Sequence, residues 1–137
     1  MKESLDQQRA RFAWEKVQRQ DSEYTKLAKG APALIMQSGL MPVLAFLNEK
    51  ARKEKEKKEK PHTELLEHLC AWLNKRFRKG EKFEDVMNAL VGDNAGDASG
   101  HAQFYRLATE ETLAILRWIR QFAAAVARDE EGGSRHG

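Results

Sequence analysis

The sequence has one cysteine, Cys70, and therefore cannot form a disulfide within the chain. The absence of disulfides is typical of proteins in a reducing compartment. The N-terminal residues lack the apolar segment of a signal peptide. The longest nearly uncharged run, residues 31–47, is shorter than the ~20 residues that a membrane span needs. We therefore expect a cytoplasmic protein.

The sequence also lacks the motifs of common catalytic sites. There is no glycine-rich loop followed by Lys-Ser or Lys-Thr, and no Gly-x-Ser-x-Gly. His62, His68 and Cys70 are the nearest approach to a metal site, but their spacing places them on different faces of a helix. The acidic loop at residues 93–100 has Ala95 where an EF-hand needs an oxygen ligand. We predict no enzymatic activity, no metal and no cofactor.

The chain has little net charge, +3 from 24 basic and 21 acidic residues, although one-third of its residues are charged. This mild basicity suits an anionic partner without identifying one. A length of 137 residues fits one domain. We predict a single helical domain over residues 1–128. Residues 129–137 are polar and glycine-rich, which predicts a disordered tail.

The run at residues 31–47 predicts the centre of an all-α fold, a single compact bundle of about five to six helices. Pro32 fits the first turn of a helix, and the apolar residues 33–36 predict that this helix is buried on all sides. Gln, Ser and Gly follow, and then Pro42. A kink or break is therefore predicted near residues 38–41, before a second apolar helix.

A first helix is predicted from Ser4 to about Lys29, with Gly30 as its stop. One face of it is apolar and is predicted to face the core; it contains Ala10, Ala13, Trp14, Val17, Tyr24, Leu27 and Ala28. The opposite face has a basic stripe made of Arg11, Arg19, Lys26 and Lys29. Such a stripe is either an ordinary solvated helix face or a contact for an anionic partner.

The charged run at residues 50–60 predicts an exposed extension of the second apolar helix. Pairs of opposite charge lie four residues apart in and beside it, such as Glu49 with Lys53 and Glu54 with Lys58. This density of charge without aromatic residues is more typical of a solvated helix end than of a binding site.

Three further helices are predicted, over residues 61–78, over residues 83–90 and from about residue 100 to Arg128. Thr109 could cap a helix, so the last helix is either continuous or broken near Ala108. Its outer face has a second basic stripe, made of Arg106, Arg117, Arg120 and Arg128. Arginine can bind phosphate through two hydrogen bonds, which favours a functional role for this stripe.

Gln37 and Ser38 are polar residues inside the apolar run. Either they form hydrogen bonds within the kink, or they lie at the surface and contact another subunit. Met41 presents the same two alternatives, as part of the core or as part of a docking patch. We take Gln37, Ser38 and Met41 as candidate subunit contacts.

Three segments together resemble the small subunit of the Cmr complex, the type III-B CRISPR effector that silences foreign RNA under the direction of a guide RNA. The first contains Lys29, Gly30, Pro32, Leu34, Ile35, Gln37, Gly39, Leu40, Leu44, Ala45, Phe46 and Leu47. The others are the segments at residues 69–73 and 105–123, which follow in the same order. The resemblance therefore spans most of the chain.

The resemblance implies a non-catalytic structural subunit in antiviral defence. Several copies would stack along the guide-RNA filament and line the groove that receives target RNA, while other subunits cut. Its implied partners are other Cmr-complex subunits, further copies of itself, guide RNA and target RNA. The candidate RNA contacts are Arg11, Arg19, Lys26, Lys29, Arg106, Arg117 and Arg120.

Two alternatives remain at this point. One is a helical protein-protein adaptor that makes no direct contact with nucleic acid. The other is a helix-turn-helix DNA-binding protein built from residues 83–106, for which the loop at residues 93–100 is long and acidic.

Overall fold

The computed structural model describes the backbone of residues 3–92 and 98–136, and the side chains of residues 3–92 and 100–126. This part of the chain contains helices and no strand, which confirms the predicted all-α fold. The helices are α1 (Leu5–Val17), α2 (Ser22–Ser38), α3 (Leu40–Lys53), α4 (Pro61–Phe77), α5 (Phe83–Val91) and α6 (Ala98–His136).

The first helix predicted from the sequence is in fact two helices. Ser4 caps α1 as expected, since its hydroxyl accepts a hydrogen bond from the backbone N–H of Gln7 at 3.1 Å. The helix then ends at Val17. Asp21 starts α2 by accepting a hydrogen bond from the backbone N–H of Tyr24 at 3.0 Å. The predicted continuity from Ser4 to Lys29 is therefore wrong, because the Asp21 cap starts a new helix.

Helix α2 continues through Gly30 and Pro32, so the predicted stop at Gly30 is also wrong. A side chain added at Gly30 would meet nothing within 4 Å. A solvent-facing glycine costs a helix only about 1 kcal/mol, which the packing of α2 can offset. The predicted break near residues 38–41 is confirmed, since Gly39 separates α2 from α3 with a φ of +94°.

The charged run does not continue α3 as a helix. Helix α3 ends at Lys53, and the carboxylate of Glu54 turns inward to the start of α4. This carboxylate accepts hydrogen bonds from the backbone N–H groups of His62 at 3.2 Å and Thr63 at 2.9 Å. The first N–H groups of a helix need such acceptors. The predicted helical pairing of Glu54 with Lys58 is therefore wrong, whereas Glu49 and Lys53 do pair, at 3.7 Å.

Helix α6 is the longest element and packs along both α1 and α2. It is continuous through Ala108 and Thr109, which excludes the predicted alternative of a break there. The hydroxyls of Thr109 and Thr112 bond to backbone carbonyl groups four residues earlier, at 2.9 and 2.8 Å. Thr109 therefore lies inside the helix and caps nothing.

One core joins all the helices. Its largest fully buried side chains are Trp72, Tyr24, Leu40, Leu44, Leu47, Leu65, Leu69, Leu90, Ile115, Leu116, Ile119 and Val17. Helix α4 packs against α2, α3, α5 and α6, so its apolar stripe is covered along its length. None of the helices in the described ranges is long and apolar enough to cross a membrane.

Several apolar side chains that were predicted to be buried are exposed, and they include three large ones on α1 and α2. Trp14 is 49% exposed, Leu34 39% and Met36 73%. The apolar block of α2 is therefore not buried on all sides. Helix α2 packs against its neighbours with Ile35, which is 2% exposed, and turns Leu34 and Met36 toward solvent.

Two predictions concern parts of the chain that the structure does not fully describe. The loop predicted at residues 93–100 lies outside the described residues as far as residue 97. The backbone of α6 is helical to His136. The domain boundary at residue 128 and the disordered tail at residues 129–137 stay predictions, since those side chains lie outside the described part.

Candidate nucleic-acid interface

A shallow groove on the surface brings cations from two helices together. It is lined by Lys29, Arg117, Arg120, Gln121 and Ala124. Lys29 belongs to α2 and the other four residues to α6. The groove therefore combines one residue of the first predicted basic stripe with two of the second.

The groove forms because α2 and α6 run side by side in opposite directions. The end of α2 lies beside the start of α6, where a Cβ at Gly39 would be 3.5 Å from the hydroxyl oxygen of Tyr105. Lys29, more than two turns earlier in α2, faces residues 117–124 of α6. Sequence periodicity identifies the exposed face of each helix, but only this packing shows which two faces adjoin.

The groove concentrates positive charge at an open surface. Lys29, Arg117 and Arg120 are all exposed. The salt bridges among the described residues involve other cations than these three. A concave surface of one charge sign attracts ions of the opposite sign, and two arginines can each hold a phosphate through paired hydrogen bonds.

The other members of the first stripe do not form one surface with Lys29. Arg11 lies on α1, where it forms a salt bridge with Glu3 at 2.7 Å. Arg19 is exposed in the turn between α1 and α2. Lys26 is exposed on α2 and pairs with Glu23 at 3.6 Å. The prediction of one continuous stripe is therefore wrong, because the chain reverses between α1 and α2.

In the second stripe, Arg106 is exposed and lies about three helical turns before Arg117. The two side chains therefore extend from the same side of α6, although Arg106 does not line the groove. The predicted contribution of Arg128 lies outside the described side chains.

A second basic concavity lies at the turn between α3 and α4. It is lined by Arg52, Lys55 and Lys60 together with Ala51 and Thr63. The buried carboxylate of Glu54 lies beneath this turn, where burial is outweighed by hydrogen bonds that lower its pKa, and its negative charge offsets part of the basic charge. These residues were not predicted as a site, because the sequence pattern does not show that the turn brings Arg52 and Lys55 together with Lys60.

Glu111 is the centre of a buried charge cluster that links α1, α4 and α6. Arg9 donates two hydrogen bonds to its carboxylate, from Nε to Oε1 and from Nη2 to Oε2, each at 2.8 Å. The indole N–H of Trp72 donates a third, at 2.9 Å. The Nε atom of Arg76 lies 3.5 Å from Oε2. In the sequence, the one sign of this cluster is that an acid, Glu111, interrupts the apolar face of the last helix.

The charge state of Glu111 follows from these contacts. Burial alone raises the pKa of its carboxyl, but the hydrogen bonds from Arg9 and Trp72 outweigh burial and hold the pKa below its ordinary value. The hydrogen bond to Glu111 also raises the pKa of Arg9. The pair is therefore ionised at neutral pH, and the cluster has a structural role.

The histidines and the cysteine take separate structural positions. The Tyr24 hydroxyl lies 2.8 Å from Nδ1 of His68, and burial lowers the pKa of His68 to about 4. Nδ1 of His62 lies 2.6 Å from Oε2 of Glu54. Burial raises the pKa of the Cys70 thiol to about 12, so the thiol stays protonated. Among the described side chains, no group of three or more His, Cys, Asp or Glu residues could hold a metal ion.

The candidate subunit contacts occupy two different environments. Gln37 and Ser38 are exposed at the end of α2, beside the exposed Met36. Met41 is partly buried against the core, and its backbone N–H donates a hydrogen bond to the Tyr105 hydroxyl at 3.1 Å. Leu40 is fully buried. Of these residues, Gln37 and Ser38 have the exposure that a subunit contact requires.

A family model described as CRISPR-associated protein (Cas_Cmr5) matches residues 5–126. The match extends from the start of α1 into α6 and includes all five residues that line the basic groove.

Proposed function

Because this chain belongs to the Cas_Cmr5 family of CRISPR-associated proteins, and is thus a subunit of the Cmr complex in CRISPR defence, we propose that it contacts RNA through the groove of Lys29, Arg117 and Arg120. Members of this family are structural subunits of the complex, whereas other subunits are catalytic. Membership in the family implies that the chain associates with other subunits of the complex, where its own surface is available to RNA.

One observation carries the proposal, namely the convergence of three exposed cations from two helices in one groove. Each cation that neutralises a phosphate releases condensed counterions, so binding falls steeply as salt rises. Contacts to phosphate position a nucleic acid without reading its sequence. The groove would therefore hold RNA of any sequence, which suits a subunit of a machine whose guide reads the target.

Within the complex, we place several copies along the guide-RNA filament, with their grooves toward the channel for target RNA. Arg106 would extend the contact along α6, since it lies on the same side as Arg117. The exposed group of Met36, Gln37 and Ser38 is the proposed contact to a neighbouring subunit, because it combines apolar and hydrogen-bonding surface. Arg11, Arg19 and Lys26 remain candidate RNA contacts outside the groove.

The test is a titration of labelled single-stranded RNA with the full chain and with the assembled complex. The variant Lys29→Ala/Arg117→Ala/Arg120→Ala should bind the RNA at least about tenfold more weakly at low salt, since it removes three phosphate contacts. The control is Lys55→Ala/Lys57→Ala/Lys58→Ala, which removes the same charge from the exposed turn between α3 and α4. Equal losses in the two variants would mean that RNA prefers neither surface, and the proposal would be wrong.

The second candidate function is that of an adaptor that contacts only protein. The exposure of Leu34 and Met36 on α2 favours it, because apolar side chains of this size are commonly covered by a partner. An adaptor would lose its place in the complex when Met36 is replaced by a charged residue, and its groove variant would bind RNA as well as the parent.

A further inference from the structure

Among the described residues that line the basic groove, Gln121 alone has a side chain that can accept a hydrogen bond. The others are Lys29, Arg117, Arg120 and Ala124. Lysine and arginine only donate hydrogen bonds and alanine does neither, whereas the amide of a glutamine both donates and accepts. The backbone carbonyl groups of α6 bond within the helix. The carbonyl oxygen of Gln121 is therefore the one acceptor that this lining offers to a ligand.

The backbone of a nucleic acid has unequal partners for these groups. Phosphate oxygens only accept hydrogen bonds, so they match the two arginines and the lysine. The backbone of DNA has no hydrogen-bond donor, because its sugar lacks the 2′-hydroxyl. In RNA the 2′-hydroxyl donates as well as accepts, and it is the group by which a protein distinguishes RNA from DNA. The single acceptor of the groove thus matches the single donor of the RNA backbone.

Gln121 lies where it can act together with the phosphate contacts. It is exposed and follows Arg117 by four residues, on the same side of α6, so that their Cβ atoms are about 5–6 Å apart. Arg120 is its neighbour in the chain, and Lys29 lines the groove from α2. A phosphate and the 2′-hydroxyl of the adjoining ribose are consecutive groups of one strand. A strand whose phosphate binds Arg117 can therefore bring a hydroxyl to the amide.

We propose that Gln121 makes the groove selective for RNA over DNA, by accepting a hydrogen bond from a ribose 2′-hydroxyl. This inference rests on the proposed function and deepens it, since contacts to phosphate alone would hold either nucleic acid. The amide contacts the sugar and no base, so this selectivity does not depend on sequence. The cations supply affinity, and the amide discriminates between the two sugars.

The test compares Gln121→Met with the parent as full-length protein at low salt, on single-stranded RNA and on DNA of the same sequence with deoxyuridine in place of uridine. The parent should bind the RNA about 2- to 10-fold more tightly, the ratio for one net hydrogen bond. Methionine is as long as glutamine and as favourable in a helix, but it lacks the amide. The ratio should therefore fall to about one, with unchanged affinity for DNA. The slope of affinity against salt should be equal in both proteins, because no charge is removed.

Two controls separate this hydrogen bond from other effects. Gln18→Met replaces an exposed glutamine at the end of α1, outside the groove lining, and should keep the preference for RNA. RNA with 2′-fluoro groups keeps a sugar shape like that of RNA but has no donor at this position, so the parent should bind it as weakly as DNA. Equal binding of RNA and 2′-fluoro RNA would contradict the inference, because the shape of the strand would then be the cause of the preference.

The outcomes distinguish this inference from the proposed function. If Lys29→Ala/Arg117→Ala/Arg120→Ala is weakened while Gln121→Met keeps the parent's preference for RNA, the groove contacts RNA and the inference about Gln121 is wrong. The same conclusion holds if the parent binds RNA and DNA equally well. If the triple alanine variant binds RNA as tightly as the parent, the proposed function is wrong and the inference fails with it.

Discussion

Glu111 shows how one buried acid can determine the packing of three helices. The residue is 6% exposed, and its carboxylate accepts hydrogen bonds from Arg9 of α1 and Trp72 of α4. A buried ion pair gives little net stability by itself, because both charges had to leave water. Removing only one partner of such a pair is costly, because the other charge stays buried without that partner.

The variant Glu111→Gln should therefore lower the free energy of unfolding by about 3 kcal/mol, because it removes the buried anion that Arg9 binds through two hydrogen bonds and leaves that guanidinium only the exposed Asp6 among the described residues. Chemical denaturation followed by circular dichroism measures this loss. The matched control is Glu110→Gln, an exposed neighbour whose replacement should change stability by less than about 0.5 kcal/mol. Equal stability of the two variants would show that the cluster does not hold the helices together.

His68 makes the stability of the protein sensitive to acid. Burial lowers the pKa of His68 from 6.5 to about 4, so the folded state resists a proton that the unfolded state accepts. Between pH 6.5 and about 4 the unfolded chain binds more protons, and stability therefore falls as pH falls. The free energy of unfolding that is lost through His68 should reach about 3 kcal/mol near pH 4 and should not grow further below that pH.

The variant His68→Asn tests this pH dependence, because its side-chain oxygen can still accept a hydrogen bond from Tyr24 but does not titrate. Its free energy of unfolding should decline less than that of the parent between pH 6.5 and 4. The buried acids Glu54 and Glu111, whose pKa values are lowered, also lose their contribution in acid, but they do so in both proteins. Parallel pH profiles for parent and variant would refute the role of His68.

At the scale of the helices, Gly39 and Gly30 have opposite environments. Gly39 has a φ of +94° and a ψ of 163°, a conformation open almost only to glycine. Gly30 lies inside α2, with open space where a side chain would extend. The first glycine separates two helices, whereas the second only weakens one.

Gly39→Ala should therefore destabilise the protein by about 1–3 kcal/mol, through backbone strain at the junction of α2 and α3. Gly30→Ala should stabilise it by about 0.4–1 kcal/mol, since alanine restricts the unfolded chain and favours the helix. Thermal unfolding of both variants checks the signs. A stabilised Gly39→Ala protein would mean that the junction is not fixed by this backbone conformation.

The sequence predicted the helices where their boundaries have strong local signals. The break at Gly39 was predictable because Gln, Ser and Gly precede Pro42, and the start of α4 because Pro61 fits a first helical turn. The turn between α1 and α2 has neither glycine nor proline, and Asp21 is the one strong signal in it. Glu54 was misread because a glutamate in a charged run gives no sign that it will cap a later helix.

At the scale of the whole molecule, the exposed cations of α2 and α6 were predictable, but their meeting in one groove was not. Helical periodicity identifies the outer face of each helix. Whether Lys29 lies beside Arg117 or on the other side of the molecule depends on the antiparallel packing of α2 on α6. Trp14 was misassigned for a related reason, since its helix buries Phe12, Ala13 and Val17 and turns the indole outward.

The central claim is that phosphates of RNA lie in the groove of Lys29, Arg117 and Arg120. The most direct test is the salt dependence of target-RNA binding by the assembled complex, compared between the parent and the triple alanine variant of these residues. The slope of log affinity against log salt is negative, and removing three phosphate contacts should make it less steep by about 2. An unchanged slope, in a complex that contains its full complement of subunits, would contradict the claim.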